Sequence, residues 1–415
     1  MPATAANTPP QPRSAATAAS LLLLFAAGLV NFFDRSSLGI AATSIRTELH
    51  LSATQIGALL SVFSFAYGIA QLPLAAFLRP RNAQRTLGLG LLLWSAAQAA
   101  AGAVHRFGTF LALRIVLGAG ESPFYPAGVY LIRQNTAEQQ RGRATAVLNL
   151  AATLGLAIAP PLLTVIMLRY GWRGMFFALG AAGTVLALLW LFLPQPAVPM
   201  TSHDQTPALP FAALLQQRTM WGMMLGFGGL NYVNWFFISW LPGYLETGRH
   251  LSIRSSGWLA AGPFLAGACG ALLNGMLTDA LTKQGMSATK VYRTCILTGL
   301  LCCGAATALV EAAATPIGAV ALVSAALFCL QFAGTSGWGL VQVMAPRENV
   351  PAASALQNFG SFMLASLAPV VTGRLLDRTH SFQIALWVCG AMALFGAVCY
   401  ATLTHRPIAH AEVAL

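Results

Sequence analysis

NFFDRSSLGI, residues 31–40, sets an acid beside a base inside an apolar run that begins at Leu21 and continues to about Ile45. A run of that length crosses about 30 Å of hydrocarbon at about 1.5 Å per residue. Asp34 and Arg35 therefore fall near the middle of a bilayer-spanning helix, where an ionised side chain costs about 2.5–3.5 kcal/mol. Such a cost calls for a partner or a role, and the reading adopted is that the pair belongs to a substrate and proton site.

The whole chain fits that setting. It has 415 residues, 57% hydrophobic and 8% charged, with mean hydropathy +0.67. A soluble protein of this size could not cover its surface with so few charges. The apolar residues come in span-length blocks, which predicts a polytopic helical membrane protein. A net charge of +12 would suggest nucleic acid in a soluble chain. Here the arginines flank apolar segments, a pattern of membrane topology, so no nucleic-acid partner is expected. The opening MPATAANTPPQPRSAATAAS reads as a tail. A cleaved signal peptide is the rival, but the apolar run continues past Asp34 and is too long for one.

Several chemistries are not expected. The seven cysteines (Cys269, Cys295, Cys302, Cys303, Cys329, Cys389, Cys399) have no metal-type spacing and read as packing residues buried in spans. The seven histidines lie in loops or tails. GAGES, residues 118–122, imitates a phosphate loop but falls mid-membrane. No metal, no cofactor and no enzymatic activity are expected.

Breaks at Gly, Pro and charge clusters delimit twelve spans: 19–45, 54–78, 85–104, 108–132, 143–168, 173–194, 218–245, 255–280, 291–313, 316–345, 351–373 and 382–404. The predicted fold class is an all-α membrane protein with two six-helix halves. Its parts are a tail at 1–18, bundles at 19–195 and 218–404, a linker at 196–217 and a tail at 405–415. With both termini cytoplasmic, thirteen basic residues lie in inner loops and tails and eight in outer ones, which favours that orientation. An internal repeat supports the division. ATAVLNLAATLGLAIAPP from Ala144 aligns with ASALQNFGSFMLASLAPV from Ala353, superposing Asn149 on Asn358 and Pro160 on Pro369. The fifth and eleventh spans are then equivalents in two parallel halves.

Only Asp34 and Glu121 among the acids, and Arg35 and Arg114 among the bases, lie well inside spans. Arg114 and Glu121 are two turns apart on one face of the fourth. Around Glu121, LGAGESPFYPAG combines small residues with Pro123 and Pro126, which free backbone carbonyls. That is tolerated at membrane depth only against protein or a watery cavity. A buried network that merely fixes packing is the plain alternative. The functional reading explains more, because two guanidinium forks suit an anionic substrate. A carboxylate arriving at an arginine would strip an acid of its counter-charge and leave that acid to take a proton. Neutral polar residues that would complete the site are Tyr67 and Gln71, Asn149, Asn231 and Asn234, Thr335, Ser336 and Trp338, and Gln357 and Asn358. Each could equally serve a hydrogen bond between helices.

NFFDRSSLGIA, LRIVLGAGESPFYPA, RGRATAVLNLAATLGLAIAPPL, GWRGMFF and FISWLPGYL resemble the major facilitator superfamily. They are similar, more narrowly, to its anion:cation symporters, a group with bacterial galactonate, glucarate and hexuronate permeases and animal sialin. The resemblance spans nearly all of 19–404 and implies proton-driven transport of sugar acids by alternating access in the bacterial cytoplasmic membrane, by a monomer needing only its anion, protons and the bilayer. It implies that Asp34 and Glu121 couple protons and that Arg35 and Arg114 hold the carboxylate. Tyr67, Asn149, Thr335, Trp338 and Asn358 would line the pocket.

One departure stands out. Where the family carries an acid between its second and third spans, LAAFLRPRNAQRT has none, whereas NGMLTDALTKQG keeps Asp279. Asp279, with Glu138 and Arg141 of AEQQRGRA, is then the expected cytoplasmic gate. Another carboxylate as substrate, tartrate-like or aromatic, and efflux of an anionic metabolite remain alternatives to sugar-acid uptake. A receptor or scaffold would need a large soluble region, and the loops are too short for one.

Overall fold

The structure is a computed structural model that describes residues 15–79, 82–136, 140–192, 211–346 and 349–408. Glu138, most of the expected linker and parts of both tails lie outside the described residues. Within them the regular structure is helical: α1 (Ala15–Glu48), α2 (Ala53–Phe77), α3 (Ala83–Ala101), α4 (Phe107–Glu121), α5 (Phe124–Asn135), α6 (Arg141–Phe192), α7 (Phe211–Leu215), α8 (Arg218–Gly243), α9 (Ile253–Lys283), α10 (Ala288–Ala308), α11 (Pro316–Met344), α12 (Val350–Ala365), α13 (Leu367–Thr379) and α14 (Gln383–Leu403). A single π turn, Tyr244–Gly248, follows α8. Eight segments are long and apolar enough to cross a membrane.

Three irregularities interrupt the helices, two of them where the sequence predicts breaks and one, at Ser366, inside a span expected to be continuous. The expected fourth span divides into α4 and α5 at Ser122–Pro123, and the eleventh into α12 and α13 at Ser366. The fifth and sixth form one run, α6, bent at Gly171, whose φ of 71° lies in the left-handed region that disfavours a side chain. That bend gives GWR its use. The Trp172 indole N–H donates to Glu48 Oε2 at 2.6 Å, while Arg173 Nη2 lies 2.9 Å from Glu48 Oε1. Arg173 also donates to the carbonyls of Gly102 and Val104 at 3.0 and 2.7 Å. Arg173 thus gathers the ends of α1 and α3 around the bend.

Large apolar side chains lie on the outside, with Leu272 70%, Met276 72% and Val398 58% exposed, while Asp34, Arg35, Arg114 and Glu121 are all buried. This inverts the soluble pattern and fits a lipid surround. Cys269 and Cys302 are exposed, a correction to the expectation that every cysteine is buried; they face outward with the apolar surface residues. Trp235, Phe237 and Trp240 are buried.

The first and second sequence halves meet where α2 packs on α12 and α13, α6 on α9 and α1 on α8; the α2 contact is the most fully hydrogen-bonded at its ends. At one end the first turn of α2 is capped from α13: Asp377 accepts from the Ala53 and Thr54 amides at 2.9 and 2.7 Å and from the Thr54 hydroxyl at 2.6 Å. Arg46 Nη2 stands 3.9 Å from the same carboxylate. Close approach makes this reachable, since a Cβ on Gly373 would come 2.1 Å from the Ala53 carbonyl oxygen. Two turns on, the Val370 amide donates to the Ser61 hydroxyl at 3.0 Å. Further along, Asn358 Nδ2 donates to Gln71 Oε1 at 2.9 Å.

Candidate functional site

The four intramembrane charges form one buried cluster. Arg35, from the middle of α1, donates through Nε to Glu121 Oε2 at 2.8 Å. Glu121 is the last residue of α4, where the helix dipole disfavours an acid, and the guanidinium supplies the compensating charge. Asp34 lies within electrostatic reach of Glu121, Arg114 and Arg35. Arg114 donates Nε to the Leu59 carbonyl at 3.1 Å, which ties it to α2.

Much hydrogen-bonding capacity in the cluster is left over. Both Asp34 oxygens, Glu121 Oε1, Arg35 Nη2 and both terminal nitrogens of Arg114 have no hydrogen-bond partner among the described residues. Buried polar groups are ordinarily satisfied, and an unsatisfied one costs about 1–3 kcal/mol, more when charged. Three unpartnered guanidinium nitrogens are donors suited to a carboxylate.

Small residues on α4 bring the surrounding helices in. A Cβ on Gly118 would lie 2.4 Å from the Phe63 carbonyl oxygen, and one on Gly120 would lie 3.0 Å from Trp94 Cβ. The backbones of α2 and α3 therefore approach from two sides, and bulk at either position would push them off.

Aromatic rings then line the guanidinium groups. The Arg35 Cζ atom stands 4.7 Å from the Tyr67 ring centre, 5.0 Å from Phe32 and 5.6 Å from Phe63. Arg114 Cζ stands 4.7 Å from the same Phe63 ring. Phe63 and Tyr67 continue into the second half: Trp235 of α8 lies 5.8 Å from Phe63, Phe362 of α12 lies 4.8 Å from Tyr67, and Trp235 and Phe362 are 5.9 Å apart.

Asp34, Arg35, Arg114, Glu121 and Tyr67 thus come together as the sequence predicts, and Gln71 and Asn358 meet one turn beyond Tyr67. Other expected site residues stand apart. Asn149 is exposed on α6. Thr335 is spent on the Gln331 carbonyl at 3.1 Å, and Trp338, 40% exposed, packs edge-on against Phe227. Gln357 is buried and reaches the Gly337 carbonyl at 3.5 Å. Asn231 donates to Ser361, Gln331 to Asn234 and Ser336 to Asn274, at 2.9, 3.3 and 3.0 Å. Asp279 is exposed near the end of α9, with no ion pair to a described residue, and Arg141 opens α6. Among the described residues no cluster could hold a metal ion.

Phe63, Trp94 and Asn31 were missed at the sequence level. Asn31 and Trp94 are buried with side-chain nitrogens lacking partners. Asn31 precedes Asp34 by three and Arg35 by four residues, a helical-face signal that could have found it. Phe63 carried no such signal.

A buried acid–base cluster wrapped by apolar-surfaced helices is an arrangement that suits a membrane transporter. Residues 24–359 match the Major Facilitator Superfamily, and the chain belongs to that family. It is 46% identical over 405 residues to a probable L-galactonate transporter of Escherichia coli strain K12, covering 94% of this chain and 89% of that one. It is 30% identical over 413 residues to a probable galactarate/D-glucarate transporter of the same strain, covering 92% and 93%. The fold resembles an inward-facing, unoccupied bacterial homolog of the human lysosomal transporter Spinster, with TM-score 0.78 at 17% identity, covering 94% and 97% of the two chains.

Proposed function

We propose that the protein is a proton-coupled symporter of a sugar acid, of the hexonate, hexarate or hexuronate type. It works by alternating access in the bacterial cytoplasmic membrane. In this reading it is a monomer with twelve spans and both termini cytoplasmic, so the end where Asp377 caps α2 faces outward.

The observation that carries the proposal is the buried Arg35–Glu121 bridge beside the two unpartnered nitrogens of Arg114. Arg114 and Arg35 grip the substrate carboxylate as forks. Because Arg35 already holds Glu121, the anion competes with Glu121 for the guanidinium. Released from its counter-charge in a low-dielectric site, Glu121 takes a proton, and Asp34, within reach of both arginines, is the second proton-coupling acid, called on when the substrate brings a second carboxylate. Anion and proton therefore bind together. Gln71, Asn358, Asn149, Thr335, Trp338 and Gln357 serve the hydroxylated end. Those standing apart here reach it when the halves close, and Asp279, Glu138 and Arg141 close the cytoplasmic end.

The names of the two relatives support sugar acids as the substrate class. The test is uptake of labelled organic acids into vesicles with and without an imposed pH gradient. Galactonate, glucarate, glucuronate, tartrate and benzoate make a sufficient panel. A sugar acid accumulated only under an inward proton gradient is the expected result. Accumulation unaffected by the gradient would remove the coupling, and preference for benzoate would replace the substrate class.

A further inference from the structure

We propose that Phe63 is a positioning residue for the anion site: its ring is shared by the two guanidinium groups and holds them at one place despite their like charge. The inference rests on the reading of Arg35 and Arg114 as the carboxylate's anchors.

Two cations brought to one site repel each other, and in a buried site water does little to screen them. Glu121 offsets this for Arg35 through a direct bond, while Arg114 has only the Leu59 carbonyl as a hydrogen-bond acceptor. Besides the charges of Glu121 and Asp34, Arg114 meets the electron-rich ring of Phe63, 4.7 Å from its Cζ, which also lies 5.6 Å from Arg35 Cζ. Cation–ring attraction is strongest where the groups are desolvated, and Phe63 is fully buried.

The ring is itself fixed on several sides. Gly118 lets α4 press against the Phe63 carbonyl. Tyr67 stacks at 6.3 Å, and Trp235 of the second half stands at 5.8 Å. Trp235, Phe362, Tyr67 and Phe63 close a circuit of four rings, two from α2 and one each from α8 and α12. The spacing of the two anion anchors is thereby tied to the contact between the halves. A side chain of similar bulk without a π face would fill the space and lose the tether.

The test compares Phe63→Leu with Phe63→Tyr in the full-length protein. In lipid nanodiscs with labelled arginine, the Nε–H resonances of Arg35 and Arg114 are identified by their loss in Arg35→Lys and Arg114→Lys. In Phe63→Leu the Arg114 signal should lose its ring-current displacement and the Arg35 signal should move while keeping the share due to Tyr67 and Phe32; both should stay in place in Phe63→Tyr, and no substrate is needed to read it. In proteoliposomes, KM for labelled L-galactonate should rise roughly tenfold in Phe63→Leu with kcat changed less than threefold, and Phe63→Tyr should recover most of that loss. Unmoved arginine signals in Phe63→Leu, or KM within twofold of the parent protein, would overturn the inference. So would a tyrosine variant as impaired as the leucine one. If the parent carries no L-galactonate, the substrate assignment falls, and the resonances still decide whether one ring holds both arginines.

Discussion

The Arg35–Glu121 bridge is a buried ion pair, and removing one member of such a pair leaves a charge worth about 3–5 kcal/mol uncompensated. Glu121→Gln keeps the shape and removes the titration. Accumulation against a gradient should stop, while exchange of labelled for unlabelled substrate continues. Counterflow measured beside gradient-driven uptake checks both, and full accumulation in the variant would end the coupling role. Arg114→Lys replaces a fork with a point charge four carbons out and also gives up the Leu59 bond. KM should rise at least tenfold in initial-rate uptake, whereas a change under threefold would favour a packing role. These residues were legible in the sequence because an ionisable group in a long apolar run has no cheap alternative. Phe63 was not. An aromatic among Leu and Ala follows the same pattern whether it fills a core or tethers two cations.

Among the elements, α2 carries one of the contacts between the halves, and Asp377 holds its first turn from α13. A side-chain cap contributes about 0.5–2 kcal/mol, and this one joins segments 324 residues apart. Asp377→Asn should therefore shift the closed-to-open ratio at this end by about fivefold. Spin labels at the exposed Thr47 and Gln383 read that change as a longer-distance population, and an unaltered distance distribution would reduce Asp377 to a local cap. Sequence reading left this acid among those outside the spans, since nothing local marks a partner so remote along the chain. The proline and glycine breaks of α4 and α6 were readable because their cause is local backbone chemistry. The register that aligns Asn149 with Asn358 also aligns Thr164 with Gly373. The structure puts both at close helix contacts, Thr164 against Gly257 of α9 and Gly373 against Ala53 of α2. The repeat was visible in sequence, whereas the partners across the halves were not.

At the scale of the whole molecule, lipid-facing surface and buried charge have exchanged their usual places, and composition alone foretold that exchange. The central cluster holds two acids and two bases, Asp34 and Glu121 with Arg35 and Arg114, and so carries no net charge when all are ionised. A guest with one carboxylate tips that balance by one unit, and a single proton restores it; a diacid asks for two. Uncompensated charge at this depth is expensive enough to enforce the match. Turnover with a hexonate and one proton should then be electroneutral, insensitive to a potassium diffusion potential clamped with valinomycin. A hexarate carried with only one proton would move current, and a voltmeter on the vesicle would count the protons that the two arginines admit.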